Sequence, residues 1–312
     1  MRFTVDPWDP AYGGSLEPDA AQSEAPVVTD VELPSARWAP LIPRAGTVPP
    51  EAIVFIDGVR RLEARTWVEE PGGDASAGIF ASFAAGAVRC DGRAEIIDTV
   101  VGRGVYAPSA SLLDVATTAG VFAAHRTAEA RPEALTYAVH EDMSETEVRV
   151  AERARRAGDE LLVLDGPLRK RGHVPDAVGL VKSHYVRYLP PELDRVVGAL
   201  TPGARTPVFR VDAQPFSRHS WYTRLPGPAG GPWAGVVRCE ATGALAVDAV
   251  VTLADTVTVA LPRFASTPHK DPRAPQNLFP IAGLERELRH RLGDTHVVYR
   301  ALRRASQVHI AV

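Results

Sequence analysis

Short apolar runs that end in Asp-Gly are the most regular feature of the hydrophobic pattern. Residues 161–164 are apolar and precede Asp165-Gly, and residues 53–56 precede Asp57-Gly in the same way. Runs of this length and composition predict strands buried on both faces of a sheet. Each run therefore predicts a carboxylate at the exit of a core strand, although an Asp-Gly pair is also an ordinary turn sequence.

The remaining pattern predicts an α/β fold whose sheet has a long antiparallel component. Asp91-Gly92, flanked by strand-like runs, predicts a tight hairpin. Further strands are predicted at 61–68, 78–89, 94–106, 135–140, 177–182, 206–212, 217–225 and 233–241. Helices are predicted at 144–158, 191–200, 244–258 and 281–292, with helix or loop and helix over the alanine-rich segment 108–131.

Residues 1–50 differ from the rest of the chain in being rich in proline and acidic side chains. Proline at this density prevents a continuous helix or a central strand, so the segment is predicted to be an extended N-terminal arm. Its two tryptophans, Trp8 and Trp38, would order the arm by docking, and such arms often cross to a partner subunit. A poorly ordered tail is the alternative. Residues 51–312 are predicted to form one domain.

Composition sets limits on the class of protein. With 312 residues and 45% hydrophobic content, the chain can bury a sizeable core. A formal net charge of -3 means that an anionic partner must be bound by local basic clusters. Cys90 and Cys239 form no Cys-x-x-Cys motif, which fits a reducing cytoplasm. No signal peptide or membrane span is predicted.

Asp57 and Asp165 meet only if their strands are neighbours in one sheet. Together with a glutamate from a helix they would form an acidic site for Mg²⁺ or Mn²⁺, since carboxylate oxygens are hard ligands. Glu147, in the first turn of the predicted helix that leads to Asp165, is the main candidate. It is also placed to close a capping box with Ser144. The other helix candidates are Glu145 and Glu152, and Glu63, on the strand after Asp57, is a further candidate, although alternate residues of a strand face solvent anyway.

Two further side chains and two basic clusters complete the predicted site. Lys182, at the end of an apolar strand, is placed to contact a phosphate, although a lysine is common there. His269 lies between two prolines beside Asp271, where a histidine can ligate a metal or donate a proton. The basic residues predicted to hold a phosphate backbone, besides Lys182, are Arg60, Arg61, Arg169, Lys170 and Arg171. P-loop, nucleophile-elbow, dinucleotide and zinc-protease motifs are absent from the sequence.

Four motifs follow one another in a characteristic order. They are Phe55-Ile-Asp57-Gly58, Leu164-Asp165-Gly166-Pro-Leu168, Val178-Gly-Leu-Val-Lys182, and His269-Lys-Asp271-Pro-Arg-Ala-Pro275-Gln-Asn277-Leu with Leu284-Glu285-Arg-Glu-Leu288-Arg289. In this order and context they resemble the NurA family of DNA repair nucleases. The resemblance covers about residues 50–304.

The resemblance implies an RNase H-like fold and a manganese- or magnesium-dependent DNA nuclease. It also implies a homodimer that resects DNA ends together with a HerA-type hexameric ATPase. By position, Asp57 and Asp165 match the family's metal-binding aspartates, and Glu147 its helix glutamate. Lys182 and His269 match its strand-end lysine and its C-terminal histidine.

The sequence departs from the family pattern at two positions near the predicted metal. Val59 and Pro167 stand where the family often has serine after Asp-Gly, so a hydroxyl that supports a ligand is lost at each place. The departures leave open a second hypothesis, that the chain is a non-catalytic adaptor. Such an adaptor would bind DNA ends or a translocating ATPase through its proline-rich arm and basic C-terminal helix.

Overall fold

A computed structural model gives the structure of the chain for residues 7–9, 11, 14–70, 72–155, 160–172, 174, 177–213, 216–228 and 230–310. It is a mixed α/β protein with a large mixed sheet flanked by helices. The strands are β1 (Leu16–Gln22), β2 (Val27–Val28), β3 (Ile53–Glu69), β4 (Ala75–Cys90), β5 (Ala94–Ala107), β6 (Val115–Thr117), β7 (Gly120–Arg126), β8 (Leu161–Asp165), β9 (Ala177–Val181), β10 (His184–Arg187), β11 (Phe209–Ala213), β12 (Phe216–Arg224) and β13 (Val236–Thr242). The α-helices are α1 (Pro132–Ala154), α2 (Pro191–Gly198), α3 (Val247–Ala260), α4 (Phe279–Arg291) and α5 (Thr295–Ile310).

Eleven strands of the described chain form one sheet, in the order β2-β11-β12-β13-β9-β8-β3-β4-β5-β7-β6. The strands β8 and β3 are therefore neighbours, as the sequence argument for Asp57 and Asp165 requires. The remaining two described strands, β1 and β10, pair in parallel. Contacts divide the chain into two compact units, one of Met1–Phe55, Arg89–Glu95 and Arg155–Ala282, the other of Ile56–Val88, Ile96–Ala154 and Gly283–Val312.

In the first unit, β9 pairs in parallel with β8 and antiparallel with β13. The four apolar residues of β8 are all buried, and the strand has a neighbouring strand on each side, β9 and β3. A hydrophobic core of this unit contains Trp38, Phe209, Tyr222 and Trp233. The predicted short strand at Asp165 is confirmed.

The proline-rich N-terminal segment packs within the first unit. Its strands β1 and β2 pair with β10 and β11, and Trp38 is buried against Phe209. The Nε1 atom of Trp8 donates a hydrogen bond of 2.7 Å to Oε1 of Gln276. Both tryptophans therefore dock on this unit.

In the second unit, α1 packs along the sheet through residues spaced three or four apart. Leu135, Val139 and Met143 form a core with Phe83 and Tyr106. This spacing follows the 3.6-residue helical period, so the prediction of a strand at 135–140 is wrong. The helix begins at Pro132, a residue favoured in the first turn, and Ser144 lies mid-helix. The predicted capping box is therefore wrong, and the predicted end at Gly158 lies outside the described residues.

Asp142 fixes α1 to two strands of the second unit. Its Oδ2 accepts hydrogen bonds of 2.6 Å from the Tyr106 hydroxyl on β5 and 3.0 Å from Nδ1 of His125 on β7. The His125 and Tyr106 rings stack with centroids 4.8 Å apart. The hydrogen bond with Asp142 raises the pKa of His125, so the charged imidazolium is favoured here. These contacts set the position of α1, which carries Glu147.

Two other predictions differ from the structure, and one helix has no counterpart among the predictions. The two strands predicted on either side of Asp57-Gly58 are one strand, β3, because the backbone stays extended through both residues. The segment 108–131, predicted to contain a helix, forms the antiparallel pair β6 and β7, joined by a turn at Thr118 and Ala119 that precedes Gly120 (φ 123°). Its valine, threonine and phenylalanine residues are β-branched or aromatic and suit a pleated surface. Helix α5 was not predicted.

Candidate metal centre

Asp165 is the last residue of β8, and a tight turn follows it. Gly166 has φ 85°, a left-handed conformation that favours glycine. Nη2 of Arg171 donates hydrogen bonds to the carbonyl oxygens of Asp165 and Pro167, at 2.9 and 2.7 Å. These bonds hold the backbone from which the Asp165 side chain projects.

A buried glutamate supports the same turn from β13, the strand on the other side of β9. Oε2 of Glu240 accepts the backbone N–H of Leu168 at 2.9 Å, while its Oε1 pairs with Arg218 at 2.8 Å and with Arg238. Burial by itself would raise the pKa of Glu240, but the two guanidinium groups hold that pKa below its ordinary value. A charged carboxylate therefore anchors the segment that follows Asp165.

The two oxygens of Asp165 have different environments. Oδ2 accepts a hydrogen bond of 2.6 Å from Nζ of Lys182, which also donates to Oδ1 of Asn277 at 2.8 Å. Oδ1 is buried and has no hydrogen-bond partner among the described residues. Because a buried carboxylate oxygen without a partner is costly, this atom suits a bound cation.

The predicted phosphate contact of Lys182 requires an open surface. In the structure Lys182 is buried, and its Nζ contacts the Asp165 carboxylate. The network continues from Asn277, whose Nδ2 donates a hydrogen bond of 2.7 Å to Oδ2 of the buried Asp271. The histidine motif thus contributes Asn277 and Asp271 to the surroundings of Asp165. His269, in the same segment, is exposed.

Asp57 lies inside β3 and is 5% exposed. The next residue, Gly58, donates its backbone N–H to Oδ1 of Asp57 at 2.8 Å. A Cβ atom at Gly58 would lie 2.6 Å from Oε1 of Glu147 and 2.9 Å from Cγ of Met143. Only glycine therefore lets the buried Glu147 of α1 approach β3 at this point.

Asp57, Asp165 and Glu285 form a carboxylate group able to hold a metal ion. Each offers one oxygen, and these oxygens lie within 4.8 Å of one another. Three carboxylates are the hard, anionic donor set that Mg²⁺ and Mn²⁺ favour, and Asp165 has an unpartnered buried oxygen within the group. The residues present therefore fit a divalent ion.

Glu285 was not predicted as a ligand, although it belongs to the C-terminal motif. On α4 its neighbour Leu284 and the following Leu288 are almost fully buried, whereas Glu285 is half-buried. The sequence feature that could have identified Glu285 is its position at the margin of the buried face of an amphipathic helix. The predicted helix at 281–292 is confirmed by α4.

The other predicted site residues that the structure describes are not members of this three-carboxylate group. Glu147 is buried beside Gly58 but is not a member of the group, and Glu145 and Glu152 are exposed. Arg61 pairs with Glu63 at 2.9 Å and bonds the carbonyl oxygen of Gly293.

The predicted phosphate-binding cations differ in exposure. Arg60 and Arg169 are exposed, while Arg171 is buried and holds the turn after Asp165. The side chain of Lys170 lies outside the described part of the chain. Arg60 and Arg169 are thus the members of the two clusters with exposed side chains.

Comparisons with known proteins give no assignment. No family model matches the chain, and no characterised protein matches it significantly. Among the described helices, none is both long and apolar enough to cross a membrane.

Proposed function

We propose that the protein is a divalent-metal-dependent DNA nuclease that hydrolyses phosphodiester bonds. The observation that carries the proposal is the carboxylate group of Asp57, Asp165 and Glu285, with oxygens within 4.8 Å of one another. Carboxylates from adjacent strands and a helix are a donor set suited to Mn²⁺ or Mg²⁺. The four ordered motifs that resemble the NurA family support DNA as the substrate.

Asp57, Asp165 and Glu285 would hold the metal, which supplies a more acidic bound water and neutralises charge on the phosphate. Lys182 orients the Asp165 carboxylate through its 2.6 Å contact. Glu147 is buried beside Gly58, the residue that follows Asp57. Arg60 and Arg169 are exposed cations available to DNA phosphates.

The finer parts of the proposal rest on the family resemblance. They are an RNase H-like core, a homodimer, a HerA-type hexameric ATPase as partner and DNA end resection in the cytoplasm. His269 is proposed as the proton donor or an additional ligand when DNA is bound. Its exposed position between two prolines leaves it accessible to substrate.

Replacing Glu285 with glutamine should abolish most DNA hydrolysis by the purified chain in Mn²⁺. Loss of a residue that only supports a ligand costs about 10–100-fold, so loss of a ligand should cost at least about 100-fold. The measurement is release of labelled fragments from an oligonucleotide, with EDTA as a blank. Glu287→Gln is the matched control, because Glu287 lies on the same helix and pairs at the surface with Arg291 at 2.8 Å.

The Glu287 variant should cleave at the wild-type rate. If the wild-type chain does not cleave DNA with any divalent ion, the nuclease proposal fails and the adaptor hypothesis replaces it. Equal cleavage rates for wild type and Glu285→Gln would show that Glu285 is not a ligand of the metal.

A further inference from the structure

Two consecutive residues of the histidine motif hold Lys182 within the first unit. Oδ1 of Asn277 accepts a hydrogen bond of 2.8 Å from Nζ of Lys182, and Nε2 of Gln276 donates one of 3.3 Å to the Lys182 carbonyl oxygen. The Asn277 amide is oriented by Asp271, to which its Nδ2 donates at 2.7 Å. Asn277 and Gln276 are fully buried, so loss of either contact would leave a polar group without a partner or solvent.

The N-terminal arm holds Gln276 in turn. Oε1 of Gln276 accepts a hydrogen bond of 2.7 Å from Nε1 of Trp8 and a longer one of 3.3 Å from the backbone N–H of Gly235. Trp8 is buried, and the next residue, Asp9, donates its backbone N–H to the carbonyl oxygen of Pro272 at 2.8 Å. The arm therefore contacts the histidine motif at two points.

The two oxygens of Asp165 differ in what contacts them. Nζ of Lys182 lies 2.6 Å from Oδ2, whereas the buried Oδ1 has no hydrogen-bond partner in the described part of the chain. An ammonium group has three donors and can bond both oxygens of one carboxylate. If Lys182 did so, its positive charge would occupy the oxygen that a metal ion requires. The bond to Asn277 keeps Nζ shared between two side chains.

We propose that Asn277 is a positioning residue for the metal centre, because it holds the ammonium group of Lys182 on Oδ2 of Asp165 and leaves Oδ1 to the ion. Trp8 acts one step further away, since through Gln276 it holds the segment that carries Asn277. The inference rests on the proposed nuclease function and deepens it, because it makes the metal affinity of the site depend on the N-terminal arm.

The test is the affinity of the purified chain for Mn²⁺, measured without DNA from the electron paramagnetic resonance signal of free Mn²⁺. Asn277→Leu should weaken Mn²⁺ binding about 10- to 100-fold, the range for loss of a residue that supports a ligand. In a chain that already carries Lys182→Met, the same substitution should cause no further loss, because no ammonium group remains to occupy Oδ1 of Asp165. An equal loss in both backgrounds would overturn the inference.

Trp8→Phe tests the part played by the arm, because it keeps an aromatic ring and removes the N–H that bonds Gln276. It should weaken Mn²⁺ binding about 2- to 10-fold, the equivalent of one hydrogen bond. The matched control is Trp38→Phe, which removes the N–H of the other tryptophan in the arm, bonded to the carbonyl oxygen of Thr29 at 3.2 Å. This variant should bind Mn²⁺ as wild type.

Wild-type Mn²⁺ affinity in Asn277→Leu would overturn the inference. Wild-type affinity in Trp8→Phe, or an equal loss in Trp8→Phe and Trp38→Phe, would overturn the role of the arm. The nuclease proposal fails separately, if the wild-type chain binds Mn²⁺ with these differences between variants and cuts no DNA. A wild-type chain that binds no Mn²⁺ would overturn both.

Discussion

Replacing Asp57 with asparagine is expected to lower metal-dependent DNA hydrolysis about 10³-fold while the fold is kept. The substitution preserves the shape of a side chain that is 5% exposed and removes its negative charge. A bound ion contributes several kcal/mol of transition-state stabilisation, and about 4 kcal/mol corresponds to 10³-fold in rate. The rate is measured in Mn²⁺ on a single-stranded oligonucleotide, with the unfolding midpoint as a check on the fold.

Asp91→Asn is the control for that experiment, because Asp91 is an exposed aspartate in the β4–β5 hairpin. It should leave the cleavage rate unchanged. If Asp57→Asn cleaves as fast as the wild-type protein, Asp57 has no part in catalysis and the carboxylate group is structural.

Replacing Arg205 with methionine is expected to lower the free energy of unfolding by about 3–5 kcal/mol, as for other buried pairs that lose one partner. Arg205 is 2% exposed and pairs with Asp255 at 2.7 Å and with Glu32 at 2.8 Å. Burial alone would raise the pKa of Asp255, but hydrogen bonds from Arg44 and Arg205 hold that pKa below its ordinary value. Without Arg205 a charged carboxylate is left buried.

The matched control is Arg44→Met, which removes the other partner of the same carboxylate. The side chain of Arg44 is 58% exposed, so its pair with Asp255 at 2.7 Å should contribute at most about 1 kcal/mol. Urea unfolding of the three proteins gives the comparison. If the two variants lose the same free energy of unfolding, the view that the burial of an ion pair determines its contribution to stability is contradicted.

The strands around Asp165 were predictable because their sequence leaves few alternatives. Four buried apolar residues and a glycine with positive φ define the end of β8, and the strand-like pattern at 177–182 matches β9. The doubled Asp-Gly pattern also led to the correct expectation that β8 and β3 are neighbours. Only Asp165-Gly166, however, forms the expected turn.

The N-terminal half of α1 was mispredicted because local propensity and tertiary packing favour different structures. Leu-Thr-Tyr-Ala-Val at 135–139 contains β-branched and aromatic residues, which favour a strand. Packing of Leu135, Val139 and Met143 at helical spacing against Phe83 and Tyr106 determines the outcome. Glu147 is consequently a mid-helix residue whose approach to β3 depends on Gly58.

Glu285 could not be assigned from the sequence for a related reason. The helical pattern of α4 identifies the buried face of the helix, but it does not show which strand Glu285 faces. In addition, three acidic residues at 145–152 are nearer to Asp165 in the chain. The group of Asp57, Asp165 and Glu285 depends on contacts between residues far apart in sequence. Such contacts are a property of the folded chain.

The most direct test of the metal centre is a crystal of the protein soaked in Mn²⁺, with anomalous diffraction recorded at the manganese edge. The account predicts a peak about 2.0–2.5 Å from one carboxylate oxygen each of Asp57, Asp165 and Glu285, the range for oxygen ligands of hard cations. Oδ1 of Asp165 should be one of these oxygens, because it is the buried atom without a hydrogen bond. A crystal that shows no manganese at these three carboxylates would contradict the account.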